Sequence, residues 1–194
     1  MIITPAQKTI FLNDINAKSA TGQPLEGMVS SQNYAWIRDY YNTASGSFAW
    51  NANTPVEAIY NTINWTNYTP ADVPTASDTP AVAVHFANRS SLIGIKQRNL
   101  QSILWGRTYL NCTNAWTRAG LRDCLVQLPA GAGGAMVSAW WASAITTLTA
   151  CTRSCNRAEF LFAPAPVVTG TVSAVVLPIE GTVDEQQIRD IITL

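Results

Sequence analysis

Four cysteines carry the most versatile chemistry in this sequence, because thiols bind metals, pair as disulfides and act as nucleophiles. Cys151 and Cys155 are four residues apart within CTRSCNRAEFLF (151–162), and the other two are Cys112 and Cys124. Zinc sites usually carry two cysteines on a turn with two residues between them, and neither spacing matches that pattern. The spacings favour buried, reduced core cysteines, with a zinc site or a disulfide as the alternatives.

The remaining residue types give little support for catalysis. His85 is the single histidine, it lies in the apolar AVAVHFAN, and no carboxylate stands beside it to orient an imidazole base. In the glycine-rich AGAGGA (130–135), Gly134 is followed by Ala135 and not by the lysine that a phosphate-binding loop requires. The sequence therefore predicts a protein that is not an enzyme, with no catalytic residue, no cofactor and no metal.

Charge is scarce, and its distribution along the chain is uneven. Only 12% of the residues are charged and the net charge is zero. Residues 1–88 hold three basic and six acidic side chains, residues 89–157 hold eight basic and one acidic, and residues 158–194 hold one basic and five acidic. The basic middle can pair with the acidic ends inside one chain, with a second copy head to tail, or with nucleic acid.

Local signals predict mostly helices. Thr4-Pro5 is typical of a helix start, and Thr54-Pro55-Val56-Glu57 and Thr182-Val183-Asp184-Glu185 each resemble a capping box. Further helices are expected over about 31–44, over 81–109 with a break near Gly94, over 113–127, over 135–149 and over CTRSCNRAEFLF. The uncharged 130–151 run contains glycines, so we expect a buried helix there and no membrane span.

Two segments depart from the helical pattern. WTNYTPADVPTASDTP (65–80) contains three prolines and predicts an extended arm or loop. Residues at about 165–180 are rich in β-branched side chains and predict a β segment. The expected fold is mainly α, a helical bundle with a small C-terminal β element and a Pro-rich extended arm, forming a single domain over 1–194.

Several motifs resemble a known group of proteins. RAGLRDCLVQLPAGAGGAMVSAWW (118–141), NRAEFLFA (156–163) and PIEGTVDEQQIRDII (178–192) are similar to tailed-bacteriophage proteins encoded among the virion morphogenesis genes. FLNDINA (11–17) and VEAIYNTINWTNYTPADV (56–73) resemble the same group, so the similarity covers most of the chain. The resemblance implies a structural component of the virion, assembled in the cytoplasm of the bacterial host, and brings no catalytic residue with it.

Together these features predict a head-to-tail connector (neck or adaptor) subunit that forms a ring with copies of itself. Its expected partners are other virion proteins such as portal and tail, with possible contact to packaged DNA. The alternatives are a tail or capsid-decorating structural protein and, from other classes, a DNA-binding accessory factor or a small metal-binding enzyme. The candidate interface residues are four arginines and two aromatic residues: Arg118, Arg122, Arg153, Arg157, Trp65 and Tyr68.

Overall fold

The computed structural model describes residues 1–68, 80–125 and 144–193. Over these residues the chain is an α/β mix in which helices alternate with short two-stranded sheets, so the expected helical bundle is wrong. The chain divides into two compact units, each with most of its contacts inside itself. Unit 1 comprises Met1–Ala49, Ser154–Val167 and Ala174–Leu194, and unit 2 comprises Trp50–Arg153 and Val168–Ser173.

Unit 1 is built around four helices that share one apolar core. They are α1 (Pro5–Lys18), α2 (Tyr34–Asn42), α7 (Arg157–Leu161) and α8 (Glu185–Ile192). α1 buries Phe11 and Ile15, which are four residues apart and therefore lie on the same helical face. The Phe11 ring meets the edge of Tyr41 from α2, with the ring centroids 4.5 Å apart. The core also contains Ile37, Ala158, Val183, Ile188 and Ile191.

Capping side chains set where these helices begin. The predicted start of α1 is confirmed, since the Thr4 side chain accepts from the backbone of Gln7 and Pro5 occupies the first turn. For α8 the capping box lies two residues later than expected, on Asp184 and Gln187. The Thr54 box is wrong: the residue preceding α3 (Val56–Thr62) is Pro55, and no side-chain cap bond forms there.

Residues 151–162 are not one helix. Thr152–Asn156 forms strand β4, which pairs with strand β1 (Ala44–Trp50), and α7 begins only at Arg157. Within unit 1 the Ser45 hydroxyl donates to the Cys155 carbonyl at 2.9 Å, and the amide of Val175 donates to Phe48 at 2.9 Å. These hydrogen-bond partners are distant in sequence, which is why the cysteine spacing alone could not reveal a strand.

Unit 2 combines a short sheet with a helical pair. Strand β2 (Thr54–Pro55) runs antiparallel to β3 (Tyr109–Leu110), which places Thr54 opposite Leu110. α4 (Pro80–Leu104) continues through Gly94 without the expected break, and it packs on α5 (Ala115–Leu125). Gly120 lies at this contact, where an added Cβ would be 3.2 Å from Ile103 Cδ1, closer than ordinary van der Waals contact. Residues 144–150 form α6.

A short hairpin completes the described elements, with β5 (Val167–Thr169) and β6 (Val172–Ala174) in the stretch where the sequence predicts a β segment. Of the predicted arm at about 65–80, only Trp65–Tyr68 and Pro80 are described, and the first four residues form a 3-10 turn. The AGAGGA segment lies outside the described residues. Within residues 1–68, 80–125 and 144–193, no helix combines the length and hydropathy that crossing a membrane requires.

The Tyr41 hydroxyl gives unit 1 a pH-sensitive contact. It donates to Asp14 Oδ2 at 2.6 Å, and burial, with help from the Asp14 carboxylate, raises the pKa of Tyr41 above its ordinary value of 10.0. A phenol with a raised folded-state pKa stabilises the fold below the ordinary value and loses that contribution as the pH rises beyond it. We expect stability to fall above about pH 10, and less steeply in Tyr41→Phe. Thermal unfolding between pH 7 and 11 tests this. Exposed Tyr109→Phe is the control and should lose stability as steeply as the wild type. A loss in Tyr41→Phe that is as steep as in the wild type would contradict the prediction.

Candidate functional site: an aromatic surface on unit 2

Three large aromatic side chains of unit 2 face solvent within residues 105–116. Trp105 is 82% exposed, Trp116 is 86% exposed and Tyr109 is 57% exposed. Tryptophan and tyrosine are favoured in protein interfaces because each offers a large apolar face together with one hydrogen-bonding group. We refer to Trp105, Tyr109 and Trp116 as the aromatic surface.

Local backbone geometry explains why these side chains point outward. Trp105 follows Leu104, the last residue of α4, and precedes Gly106, whose φ of 70° few other residues could adopt. Tyr109 alternates with Leu110 along β3, so Leu110 is buried and Tyr109 is exposed. The Asn114 side chain accepts from the Trp116 amide at 2.8 Å at the start of α5.

A groove lies beside Tyr109 in unit 2. Exposed Tyr60 and Tyr109 form part of its lining, and Glu57 and Arg107 add one charge of each sign. The other lining residues are Pro55, Val56 and Thr108. A partner that covers Tyr109 therefore has an adjacent recess with both apolar and charged contacts.

Arg118, the first predicted interface arginine, is an internal residue of unit 2. Its side chain is 4% exposed, and its guanidinium donates to the carbonyls of Cys112 at 2.9 Å and Thr113 at 2.6 Å. It also lies over the Trp50 ring, 5.1 Å from the centroid. Burial lowers the pKa of Arg118 from its ordinary value. Arg118 thus offers almost no surface to a partner in this structure.

The other three arginines differ in exposure. Arg122 is exposed and pairs with neighbouring Asp123 at 2.7 Å. Arg153 is half-buried in β4. Arg157 belongs to unit 1, where it lies 4.3 Å from the centroid of the Tyr40 ring and donates to the Tyr40 carbonyl at 3.1 Å. Of the four, Arg122 presents its charge most openly.

The two predicted aromatic residues pack within unit 2. The Trp65 ring lies 4.4 Å from that of Tyr60, and its indole nitrogen donates to the Tyr60 carbonyl at 3.2 Å. Tyr68 is buried and its hydroxyl donates to the Cys124 carbonyl at 3.0 Å. Burial raises the pKa of Tyr68. Trp65 is only half-buried, so it retains some surface for a partner.

All four cysteines are buried thiols, as the sequence favoured. Among the described residues, no group of three or more His, Cys, Asp or Glu side chains is arranged to hold a metal ion. The side chain of His85 lies outside the described part of the chain.

Net charge differs between the two units. Unit 1 carries five basic and eight acidic side chains, a net charge of −3, and unit 2 carries seven basic and four acidic, a net charge of +3. Glu180, Asp184 and Asp190 are exposed in unit 1, whereas Arg98, Arg107 and Arg122 are exposed in unit 2. Two copies of the chain are therefore electrostatically complementary when unit 1 of one faces unit 2 of the other.

Sequence reasoning missed the aromatic surface, although weak signals for it exist. Gly106 directly after the helical run and Asn114 directly before the next one mark helix ends. An aromatic residue at a helix end can lie beyond the face that packs on the core, and its side chain is then exposed. No protein-family model, curated protein or solved structure matches this chain.

Proposed function

We propose that this chain is a non-enzymatic structural subunit of a bacteriophage virion, which assembles with copies of itself into a ring at the head-to-tail connection. The observation that carries the proposal is the exposure of Trp105 and Trp116 on unit 2. Fully burying one tryptophan removes about 150–250 Å² from water, and the net gain at an interface is about 2 kcal/mol because association also has entropic and desolvation costs. Such side chains are costly to leave in solvent on a chain that has few charges to keep it soluble.

A second copy of the chain is the partner that fits this surface. Unit 2 carries the aromatic surface and a net charge of +3, and unit 1 carries −3. Contact between different surfaces of identical chains is heterologous, and it closes into a ring when the rotation per subunit divides a full turn. Charge complementarity therefore favours a head-to-tail arrangement over an isologous dimer.

The sequence resemblance supplies the biological setting of the proposal. The RAGLRD, PAGAGGA and RAEFLFA segments resemble tailed-bacteriophage morphogenesis proteins, and this resemblance supports a position among portal and tail proteins. A tail or capsid-decorating position is the alternative within the same class. Exposed Arg98 and Arg122 would serve equally at a subunit interface or at a DNA-facing lumen.

Mass photometry of the purified full-length chain at micromolar concentration tests the proposal directly. We expect discrete closed oligomers in the wild type and dissociation to monomers in Trp105→Ser/Trp116→Ser. Truncating an interface tryptophan costs about 2 kcal/mol, so the double variant loses about 4 kcal/mol and should associate roughly a thousandfold more weakly. Trp105→Phe/Trp116→Phe is the matched control, and it should retain most of the assembly.

Salt and DNA separate the alternatives. Weaker assembly at about 1 M salt than at 0.1 M supports charge pairing between copies. A wild-type chain that stays monomeric at all micromolar concentrations rules out the ring. Monomers that are retained on duplex DNA at low salt and released by added salt would instead identify a DNA-binding accessory factor.

A further inference from the structure

Cys112 and Cys151 form a buried thiol pair in unit 2. Cys112 follows β3, Cys151 follows α6, and both side chains are fully buried. Asn51 fixes the two segments side by side, because its carbonyl accepts from the Cys112 amide at 3.0 Å and its amide donates to the Cys151 carbonyl at 3.0 Å. The Cys151 thiol donates to the Thr147 carbonyl at 3.4 Å, and the Cys112 and Cys151 thiols each shift the pKa of the other.

The surroundings of the two thiols are unequal. The neighbouring Cys151 thiol, together with the Thr54 hydroxyl and the positive charge of Arg118, favours the Cys112 thiolate and holds the pKa of Cys112 below its ordinary value despite burial. The pKa of Cys151 is raised by its interaction with Cys112 and by burial. Cys112 is therefore the nucleophile of the pair, and Cys151 is the thiol that retains its proton.

Arg118 gives this difference a geometric basis. Its guanidinium is held against the Cys112 segment by donation to the Cys112 and Thr113 carbonyls. Its Nε is buried without a hydrogen-bond partner among the described residues. A buried cation with unused donor capacity beside a thiol favours a negative charge on that sulfur.

We propose that Cys112 and Cys151 are a redox-active pair that closes a reversible disulfide on exposure to a peroxide. The Cys112 thiolate attacks one peroxide oxygen, an S–O bond forms, the O–O bond breaks, and the departing hydroxide takes up a proton to become water. The Cys151 sulfur then attacks the Cys112 sulfur and releases its proton, the S–O bond breaks, and the second water leaves. Two thiols are oxidised and one hydrogen peroxide is reduced to two waters.

The disulfide would act as a covalent lock within unit 2. It would join the segment after β3 to the end of α6, which are far apart in sequence. Closing a long loop restricts the unfolded chain and slows opening of the folded one. Because both sulfurs are fully buried, peroxide reaches Cys112 through local opening, so oxidation is expected to be slow but selective.

The other two cysteines provide internal controls. Cys155 lies in unit 1, where its thiol donates to the Ser47 carbonyl at 3.3 Å. Cys124 lies on α5, and burial raises the pKa of its thiol. Neither thiol has a second cysteine as a hydrogen-bond partner among its described contacts, so both should remain reduced while the pair oxidises.

Peptide mass mapping after exposure of the native full-length chain to hydrogen peroxide tests the proposal. We expect a Cys112–Cys151 cross-link within one chain, a mass lower by two hydrogen atoms, and reversal by dithiothreitol. In Cys151→Ala, Cys112 should instead react with dimedone as a sulfenic acid, and in Cys112→Ala neither product should form. Oxidation should raise the urea midpoint of the wild type and leave that of Cys151→Ala unchanged.

Two results would overturn the proposal without relying on any variant. One is a native wild-type chain whose four thiols stay reduced in peroxide while the urea-unfolded chain oxidises readily. The other is a cross-link that joins Cys124 or Cys155, or two different chains, as the main native product. The outcome is independent of ring assembly, because the pair lies wholly within one unit of one chain.

Discussion

Arg118→Ala is expected to lower the free energy of unfolding by about 3 kcal/mol. The substitution removes two charge-assisted hydrogen bonds, to the carbonyls of Cys112 and Thr113, each worth about 1.5–3 kcal/mol. It also removes the contact with the Trp50 ring, worth about 0.5–2 kcal/mol. Relief from burying a charge offsets part of this loss, which is why the sum of the contacts is not the expected effect.

Arg122→Ala is the matched control for this prediction. Arg122 stands four residues further along the same helix, is exposed and pairs only with an adjacent exposed aspartate among its described contacts. Exposed ion pairs contribute about 0–1 kcal/mol, so its removal should hardly change stability. Two arginines of one helix should therefore differ in effect by about 2 kcal/mol or more.

Arg118→Met separates the lost hydrogen bonds from the lost volume. Methionine fills a similar space without donors, so it should recover packing against Trp50 but leave the two carbonyls unpaired. Urea unfolding followed by tryptophan fluorescence provides the measurement, because Trp50 is fully buried beside the substituted residue. If Arg118→Ala is no more destabilised than Arg122→Ala, the buried guanidinium makes no net contribution to the free energy of unfolding.

The contrast between these arginines shows what charge patterning can and cannot predict. The basic excess of residues 89–157 is a property of the sequence and reappears as the positive charge of unit 2. Which arginine turns inward depends on where unpaired carbonyls and an aromatic ring come together in the fold. Arg118 and Arg122 have the same side chain on one helix, so only the three-dimensional contacts distinguish them.

Helix starts were predictable to the extent that the required residues are local. Thr4, Pro5 and Gln7 lie within four positions, and the helix begins where they predict. At Thr54 the same kind of signal fails because the residue is used by the β2–β3 pair, with Leu110 as its partner far along the chain. Tertiary pairing therefore overrode a local cap.

The strand β4 illustrates the same limit on a larger scale. Thr152–Asn156 is short, so the sequence fits a strand as well as the helix that the spacing of Cys151 and Cys155 suggests. The partner that decides between them, β1, is about a hundred residues earlier in the chain. The helical bundle was wrong because several short segments obtain their hydrogen bonds from such distant partners.

Glu159 is the third residue of α7, which begins directly after β4 ends. Its buried carboxylate accepts from the Asn156 amide at 3.0 Å and from the Gly181 amide at 2.8 Å. The Asn156 side chain in turn accepts from the Glu159 amide and donates to the Gly181 carbonyl. This capping box therefore also ties the 181 segment of unit 1 to the start of α7.

Glu159→Ala should lower the free energy of unfolding by about 3 kcal/mol, because it leaves two partly buried backbone amides without an acceptor at about 1–3 kcal/mol each. Glu159→Gln retains one acceptor oxygen and should lose about half as much. Gln7→Ala removes the same kind of box from the exposed start of α1 and should cost about 1 kcal/mol or less. Urea midpoints of the three variants test the ranking. Equal losses in Glu159→Ala and Gln7→Ala would mean that the tie to Gly181 adds no stability, and α7 would then be held by its apolar contacts alone.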